Sequence, residues 1–406
     1  MPSELETAYE HARAWCRARD YAGHDPFDAL NSPLFRATPL ARSRLARLAW
    51  TQLFKRSPVN LRPLALVPAE RNAKGTALFA LAALARVRAL RASGDAAGER
   101  EYEREARALL EDLSSARLEG LSGAAWGYNF DWQGRAFYAP RGTPAIVPTA
   151  FAARAFVEAA RALGDVSYTK TARSVCDFIL RDLRRTDEAE DEVCFSYTPV
   201  DRTRVFNASL LAGEVLASVG SLTGERELLD WALRAARYVV RRQRADGSWP
   251  YGADEYQSWS DNFHTAFVLT SLARVREACA PAGHDDGSLE ELGEALRRGY
   301  DFWRASFFLA GGGPKYYHDR AYPFDTHSAA AAVVALTELR ALDPAAPAFA
   351  EEVARWTLRN LRDPARGFFY YQRRRTHTVR TPFMRWSQAW MLYALARLIE
   401  TMNAER

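Results

Sequence analysis

At 406 residues, 48% hydrophobic and 26% charged, the chain has the balance of a water-soluble folded body long enough for a large core, which excludes a disordered or fibrous protein. A formal net charge of +5, spread out and without a recognised binding motif, excludes nucleic acid as the expected partner, and no apolar run reaches the ~20 residues of a membrane span. The charged N-terminus lacks the apolar centre of a secretory signal, and Cys16, Cys176, Cys194 and Cys279 lack paired spacing, so the expectation is a cytoplasmic protein with reduced thiols and neither a disulfide framework nor a zinc site.

Residues 1–40 read as a helix and a turn-rich loop, Tyr21 to Pro33, lying against the rim of one domain that takes up residues 1–406. An amphipathic stretch around Arg42 to Phe54 follows. From there apolar and amphipathic segments alternate. The apolar ones open at Gly75, Thr149, Asn207, His264, His327 and Gln388. The last four intervals are 58, 57, 63 and 61 residues, and a period of this size marks a repeated structural unit. Runs such as HTAFVLTSLARV (264–275) are apolar nearly all round, as helices enclosed by protein are. The amphipathic segments, Tyr102 to Leu118, Thr169 to Leu183, Glu225 to Gln243, Leu289 to Ala305 and Glu351 to Leu361, keep one wet side. Pairing inner with outer, with Arg42 to Phe54 as the remaining outer partner, gives six αα-hairpins. Small residues, above all Ala329 to Ala332, let inner helices crowd one axis. The prediction is an all-α fold, an (α/α)6 toroid of twelve helices.

In such a ring every inner helix begins after a Gly- and aromatic-rich loop, so the loops converge on one rim, and the helix N-termini there favour anionic or hydroxyl-rich ligands. The loops supply Trp126, Tyr128, Asn129 and Trp132, then Asn207, then Trp249, Tyr251, Trp259 and Asn262, then Tyr316 and Tyr317, then Arg385, Trp386 and Gln388. Flat apolar faces beside amides and carboxylates suit sugar rings, which stack through C–H faces and hydrogen-bond through hydroxyls. The competing reading makes the Gly247, Trp249, Tyr251 element a structural turn whose aromatics wedge neighbouring units apart.

Three aspartates carry potential acid–base chemistry. Asp261 and Asp325 stand where a helix N-cap is expected, while Asp131 lies well before Thr149 and is no simple cap. Two carboxyl groups about 6.5–9.5 Å apart, with room for water, would cleave a glycosidic bond with inversion. His264 and His327 occupy equivalent positions in adjacent units, among only seven histidines, and with a tyrosine such as Tyr317 they suit proton transfer at a sugar carbon. No metal-binding spacing accompanies them, so neither metal nor other cofactor is expected. A basic run, Gln372-Arg373-Arg374-Arg375 with His377 and Arg380 behind it, has the size of a phosphate or carboxylate binder, although most such runs are simply solvated. His24 and Asp25 read as turn formers.

The six-hairpin organisation and DGSWPYG, Asp246 to Gly252, resemble the α/α-toroid superfamily of six-hairpin glycosidases, toroidal polysaccharide lyases and sugar epimerases. The likeness covers most of the chain as architecture and matches no catalytic motif of one member family. It implies a carbohydrate-active enzyme on an oligo- or polysaccharide, an anionic one included. Hydrolysis by two of Asp131, Asp261 and Asp325 is placed first. A uronic-sugar lyase or epimerase would instead use His264 or His327 with Tyr317, while Asn207, Asn262, Gln388 or Arg385 neutralises the sugar carboxylate. A non-catalytic glycan-binding or scaffold protein is the third reading. The isoprenoid cyclase-like branch, lacking its DxDD motif, is disfavoured. The sequence sets no oligomeric state.

Overall fold

The structure is a computed structural model and describes residues 3–134, 137–186, 189–282 and 286–404. Fourteen α-helices carry most of it: α1 (Glu4–Arg17), α2 (Pro33–Arg36), α3 (Arg44–Arg56), α4 (Ala73–Ser93), α5 (Ala96–Ser115), α6 (Ile146–Leu163), α7 (Val166–Asp177), α8 (Phe206–Thr223), α9 (Arg226–Val240), α10 (Asn262–Cys279), α11 (Asp286–Ser306), α12 (Thr326–Glu338), α13 (Ala346–Leu361) and α14 (Trp390–Ala404). Strands are two-residue ladders in the loops, among them β1 (Trp132–Gln133) paired with β2 (Tyr138–Ala139) and β3 (Arg185–Thr186) with β4 (Cys194–Phe195). A three-stranded set places β5 (Phe324–Asp325) beside β6 (Gln372–Arg373), and β6 beside β7 (Thr378–Val379), all antiparallel.

Six helices form the inner layer. α4 packs on α6, α6 on α8, α8 on α10, α10 on α12, α12 on α14, and α14 returns to α4. Their sequences explain the position: α4 buries Lys74 through Val87 without interruption, and α12 buries every residue from Thr326 to Thr337. Helices apolar on every side have no wet face to offer and are stable only when enclosed. The outer layer is α5, α7, α9, α11 and α13, each packed on the inner helix before it. α9 shows why: Leu228, Leu229, Ala232, Ala236 and Val239 are buried, while Arg226, Glu227 and Asp230 face water.

One expected element takes a different place. The outer partner of α14 is α1, which also touches α13, and not the stretch around Arg42 to Phe54. α1 has the stronger credentials for that layer: a capping box between Ser3 and Glu6, and a continuous buried stripe of Leu5, Ala8, Tyr9, Ala12 and Cys16. α3 buries only Thr51 and Phe54 and packs on the loop end with α2. A small core of Ala29, Phe54, Ala65 and Val67, separate from the main one, holds it there.

Why the loops gather at one end follows from connection lengths. Inner helices α4, α6 and α8 stop at Gly94, Gly164 and Gly224, with φ of 76°, 70° and 78°, a left-handed conformation that glycine adopts without Cβ strain. The next residue starts the outer helix, with Asp95 and Asp165 accepting from the backbone N–H groups of Gly98 and Ser167. These two-residue turns leave no room for a site. The return paths from outer to inner helix are long, and they carry the aromatic and polar residues.

Candidate active site

Two cavities open at the ends of the inner layer. One, about 820 Å³, is lined by the loops and first turns of the inner helices. The other, about 960 Å³, is lined by their C-terminal halves. The larger holds charges that satisfy one another. Arg154 and Arg274 both bind Glu214, at 2.6 and 2.7 Å, and Arg274 also binds Glu338 at 2.5 Å. Burial opposes ionisation of Glu214, but the two guanidiniums and the Ser271 hydroxyl prevail and hold its carboxyl down to about 2.

The loop-end cavity is built differently. His264, in the first turn of α10, places Nδ1 2.7 Å from Asp261 Oδ2, while Asp261 Oδ1 accepts from the His264 backbone N–H at 3.0 Å. Asp261 thus caps the helix and orients the imidazole at once. With the carboxylate accepting at Nδ1, that nitrogen carries the proton and Nε2 is the free, basic one. Both residues line the cavity. Trp259 donates its indole N–H to the same carboxylate at 3.3 Å and stacks on Tyr251 at 4.7 Å, forming an aromatic wall.

His327 sits deeper, 1% exposed, and neither ring nitrogen has a hydrogen-bond partner. Phe263 stacks on it at 4.5 Å, with Trp386 and Trp390 at 4.3 and 4.7 Å. Burial first, then the charges of Lys74 and Arg385, hold its pKa well below the ordinary histidine value, so the ring is neutral at pH 7. Lys74, in the first turn of α4, is 2% exposed and lies over the rings of Phe151, Trp390 and Phe267 at 4.3, 5.2 and 5.3 Å. Burial, then Arg385 and Arg154, push its pKa well below that of an exposed lysine. Asn207 Oδ1 is likewise buried without a partner. Two inner helices, α8 and α12, therefore present buried polar atoms without partners to one cavity, where an unmade hydrogen bond costs about 1–3 kcal/mol, and α4 adds Lys74.

Arg385 completes the floor. It lies in a wide π-type turn, Met384–Ala389, ahead of α14. Asp25 grips it through two hydrogen bonds of 2.6 and 2.8 Å, both residues being buried. The turn-forming loop at His24 and Asp25 is thereby fastened under the last unit, and His24 O accepts from Met384 N at 3.0 Å. α3 adds Lys55, whose pKa burial pulls down to about 8.

Of the remaining sequence candidates, Tyr128, Trp132, Tyr251, Trp259, Tyr316, Tyr317 and Trp386 line the cavity. Trp126 and Trp249 do not. They tie their loops to the last turn of the preceding outer helix, donating to Leu113 O and Val239 O at 2.7 and 3.0 Å, and Trp249 fills the space that a side chain at Gly299 would need. Asn129 is held by Asn72 at 2.6 Å, Asn262 by Trp303 and Lys315 O at 2.9 Å each, and Gln388 by both backbone groups of Phe369. These polar groups are spent on structure.

Asp131 and Asp325 also stand outside the lining. Asp131 pairs with Arg36 at 3.0 Å and accepts from Arg141 N at 2.8 Å. Asp325 is fully buried as the cap of α12 and accepts from Trp386 Nε1 at 3.0 Å and Gln372 Nε2 at 3.1 Å. Burial raises its pKa to about 6. Lys74 and Lys55 are cavity residues that the sequence did not single out, and Tyr197 of the third unit's aromatic loop joins them. For Lys74 the signal was present: a lone lysine beside Gly75, opening an otherwise apolar helix.

An inner ring of all-buried helices, an amphipathic outer layer and a loop-built mouth at one end make up an α/α-toroid fold. Solved structures agree. A cellobiose 2-epimerase from Bacillus thermoamylovorans superposes with a TM-score of 0.61 at 11% identity, covering 84% of this chain and 90% of that one. A family 76 glycoside hydrolase (mannosidase) from Bacteroides thetaiotaomicron gives 0.60 at 10% identity over 84% and 90%, and an unsaturated glucuronyl hydrolase specific for heparin 0.55 at 15% over 82% and 86%. At these identities the likeness is one of fold. No family model and no curated protein sequence matches the chain.

Proposed function

We propose that this single-domain (α/α)6 toroid is a carbohydrate-processing enzyme that moves a proton at the carbon beside a sugar carbonyl or carboxylate, as in epimerisation. The observation that carries this is the Asp261–His264 pair at 2.7 Å in the cavity wall, with a second, unpartnered imidazole, His327, in the same cavity. His264 Nε2 takes the α-proton and Asp261 stabilises the imidazolium that results. The electron pair moves onto the carbonyl oxygen, which in this reading accepts hydrogen bonds from the neutral His327 ring and Lys74. The enolate then turns over in the cavity and the His264 imidazolium returns the proton to the other face of that carbon, which completes the epimerisation and restores the neutral ring. The aromatic wall of Tyr251 and Trp259 supports the sugar ring.

Hydrolysis by paired carboxylates has less support, because Asp131 and Asp325 are committed to Arg36 and to a helix cap, and Asp261 to His264. Of the cations in the lining, Arg385 and Arg320 pair with Asp25 and Asp319, while Lys55, Arg56 and Lys74 have no ion pair among the described residues and favour a sugar bearing an acidic group. That observation keeps β-elimination from a uronic sugar as a second reading. The test is a rate comparison on neutral and uronic-acid oligosaccharides, followed for both isomerised and ultraviolet-absorbing unsaturated products. His264→Ala should abolish turnover while Asp131→Asn leaves it within about twofold. The reverse pattern would return the assignment to the carboxylates.

A further inference from the structure

The exposed apolar surface of this molecule is concentrated in one place. Of the twelve large apolar side chains that stand exposed among the described residues, seven lie between residues 34 and 66. On α3 the outward positions Leu45, Ala49 and Leu53 form a stripe at helical spacing, with Leu45 77% and Leu53 55% exposed. The turn after it lifts Leu64 and Leu66 into solvent, 78% and 58% exposed, with Leu66 in the left-handed region at φ 54°. A leucine held in that conformation and pointed at water is an arrangement the rest of the fold must enforce. The helix is anchored from its other side by Trp50 and Phe54, whose rings lie 4.7 Å apart.

The charge on this face is mainly positive. Residues 29–69 contain seven Lys and Arg and no Asp or Glu, and the run from Gln372 to Arg380 adds Arg373, Arg374, Arg375 and Arg380. The fold joins the two stretches: His377 Nε2 lies 3.2 Å from Arg56 O, bringing the basic run at Arg373, Arg374 and Arg375 to the C-terminal end of α3. Arg36 and Arg62 are occupied by Asp131 and Asp28. Exposed Arg42, Arg56 and Arg375 have no carboxylate within ion-pair distance among the described residues.

We propose that this face is a docking surface for an anionic lipid bilayer. Leucines that protrude singly, from a helix and a turn, amid arginines have the composition of an interfacial segment, in which apolar tips enter the headgroup boundary and cations meet anionic lipid. A second copy of the chain is a poor fit, since a two-fold contact would lay one mainly basic surface on another. α3 also contributes Leu48, Gln52 and Lys55 to the cavity, so a docked membrane lies beside the site's mouth.

The test is co-sedimentation of the full chain with vesicles of phosphatidylcholine alone and of phosphatidylcholine with about 30% phosphatidylserine. Partitioning should be at least about tenfold stronger on the anionic vesicles and fall severalfold when salt rises from about 50 to 500 mM. The triple variant Leu45→Ser, Leu53→Ser, Leu64→Ser should lose about tenfold of that binding with unchanged circular dichroism and melting. Arg42→Glu with Arg375→Glu should do the same without touching the cavity. Equal or absent binding to both vesicle types overturns the proposal. So does a concentration-dependent dimer, in sedimentation velocity, that the triple variant dissolves.

Discussion

The two ends of the inner layer are made from the same six helices yet treat buried polar groups in opposite ways. Around Glu214 each charge meets its partners, with Arg154, Arg274 and Ser271 all within 2.7 Å of the carboxylate. At the loop end His327 and Asn207 bury polar atoms that have no hydrogen-bond partner, and Lys74 lies over aromatic rings. Folding alone has no use for the second arrangement, because each unpaired group weakens the native state. In the function proposed above, a ligand supplies the use. The difference supports assigning the site by what is left unsatisfied rather than by cavity size, since in the larger cavity the Glu214 network is paired and Arg397 Nε is the unpartnered buried atom among its described side chains.

Substitutions at the two ends should separate chemistry from stability. His264→Ala should cut turnover by about 10²–10⁴ with little change in melting. A variant that melts early and retains its rate per folded molecule would make His264 a structural residue. Glu214→Ala should show the converse, a loss of about 3–5 kcal/mol in denaturant unfolding, because Arg154 is left as an uncompensated buried charge and Arg274 keeps only Glu338. A loss under about 1 kcal/mol would mean that the network contributes little. Lys74→Met keeps the volume and removes an unpaired ammonium. It should leave stability unchanged or raise it by about 1 kcal/mol while weakening affinity for acidic sugars. Destabilisation instead would place Lys74 on the structural side.

Much of this contrast was legible in the sequence, and the reasons are specific. The period from Thr149 to Gln388 revealed the repeat because inner helices must be apolar on all faces, a constraint that few other segments meet. His264, His327 and Asn207 fell at equivalent positions, and helical geometry alone directs that register toward the mouth. What the sequence hid was partnership. Trp126 and Trp249 looked like sugar platforms as much as Trp259 did, and only the bonds to Leu113 O and Val239 O separate them. Asp25 looked like a turn former because its partner Arg385 lies 360 residues away. The outer role of α1 was missed for the same reason: its partners α13 and α14 are at the far end of the chain.

Acidification offers a subtler probe. His327 has its folded pKa below the unfolded value near 6.5, so the unfolded chain binds the proton first and stability is lost as pH falls below about 6.5. Asp325 works in the opposite sense. Raised to about 6, it holds a proton in the folded state first, and its contribution is present at low pH and lost as pH rises toward 6. His327→Gln should therefore flatten the loss of melting temperature between pH 7 and 6, where Asp325 contributes least. An unchanged slope would locate the acid sensitivity elsewhere.

The most direct measurement is proton exchange at the sugar itself. Incubated in D2O with reducing and uronic-acid oligosaccharides, the protein should incorporate solvent deuterium at a carbon adjacent to a carbonyl or carboxylate, seen by NMR, and His264→Ala should not. Turnover of a glycan without any such incorporation, undiminished in His264→Ala, would contradict proton transfer at carbon by this histidine.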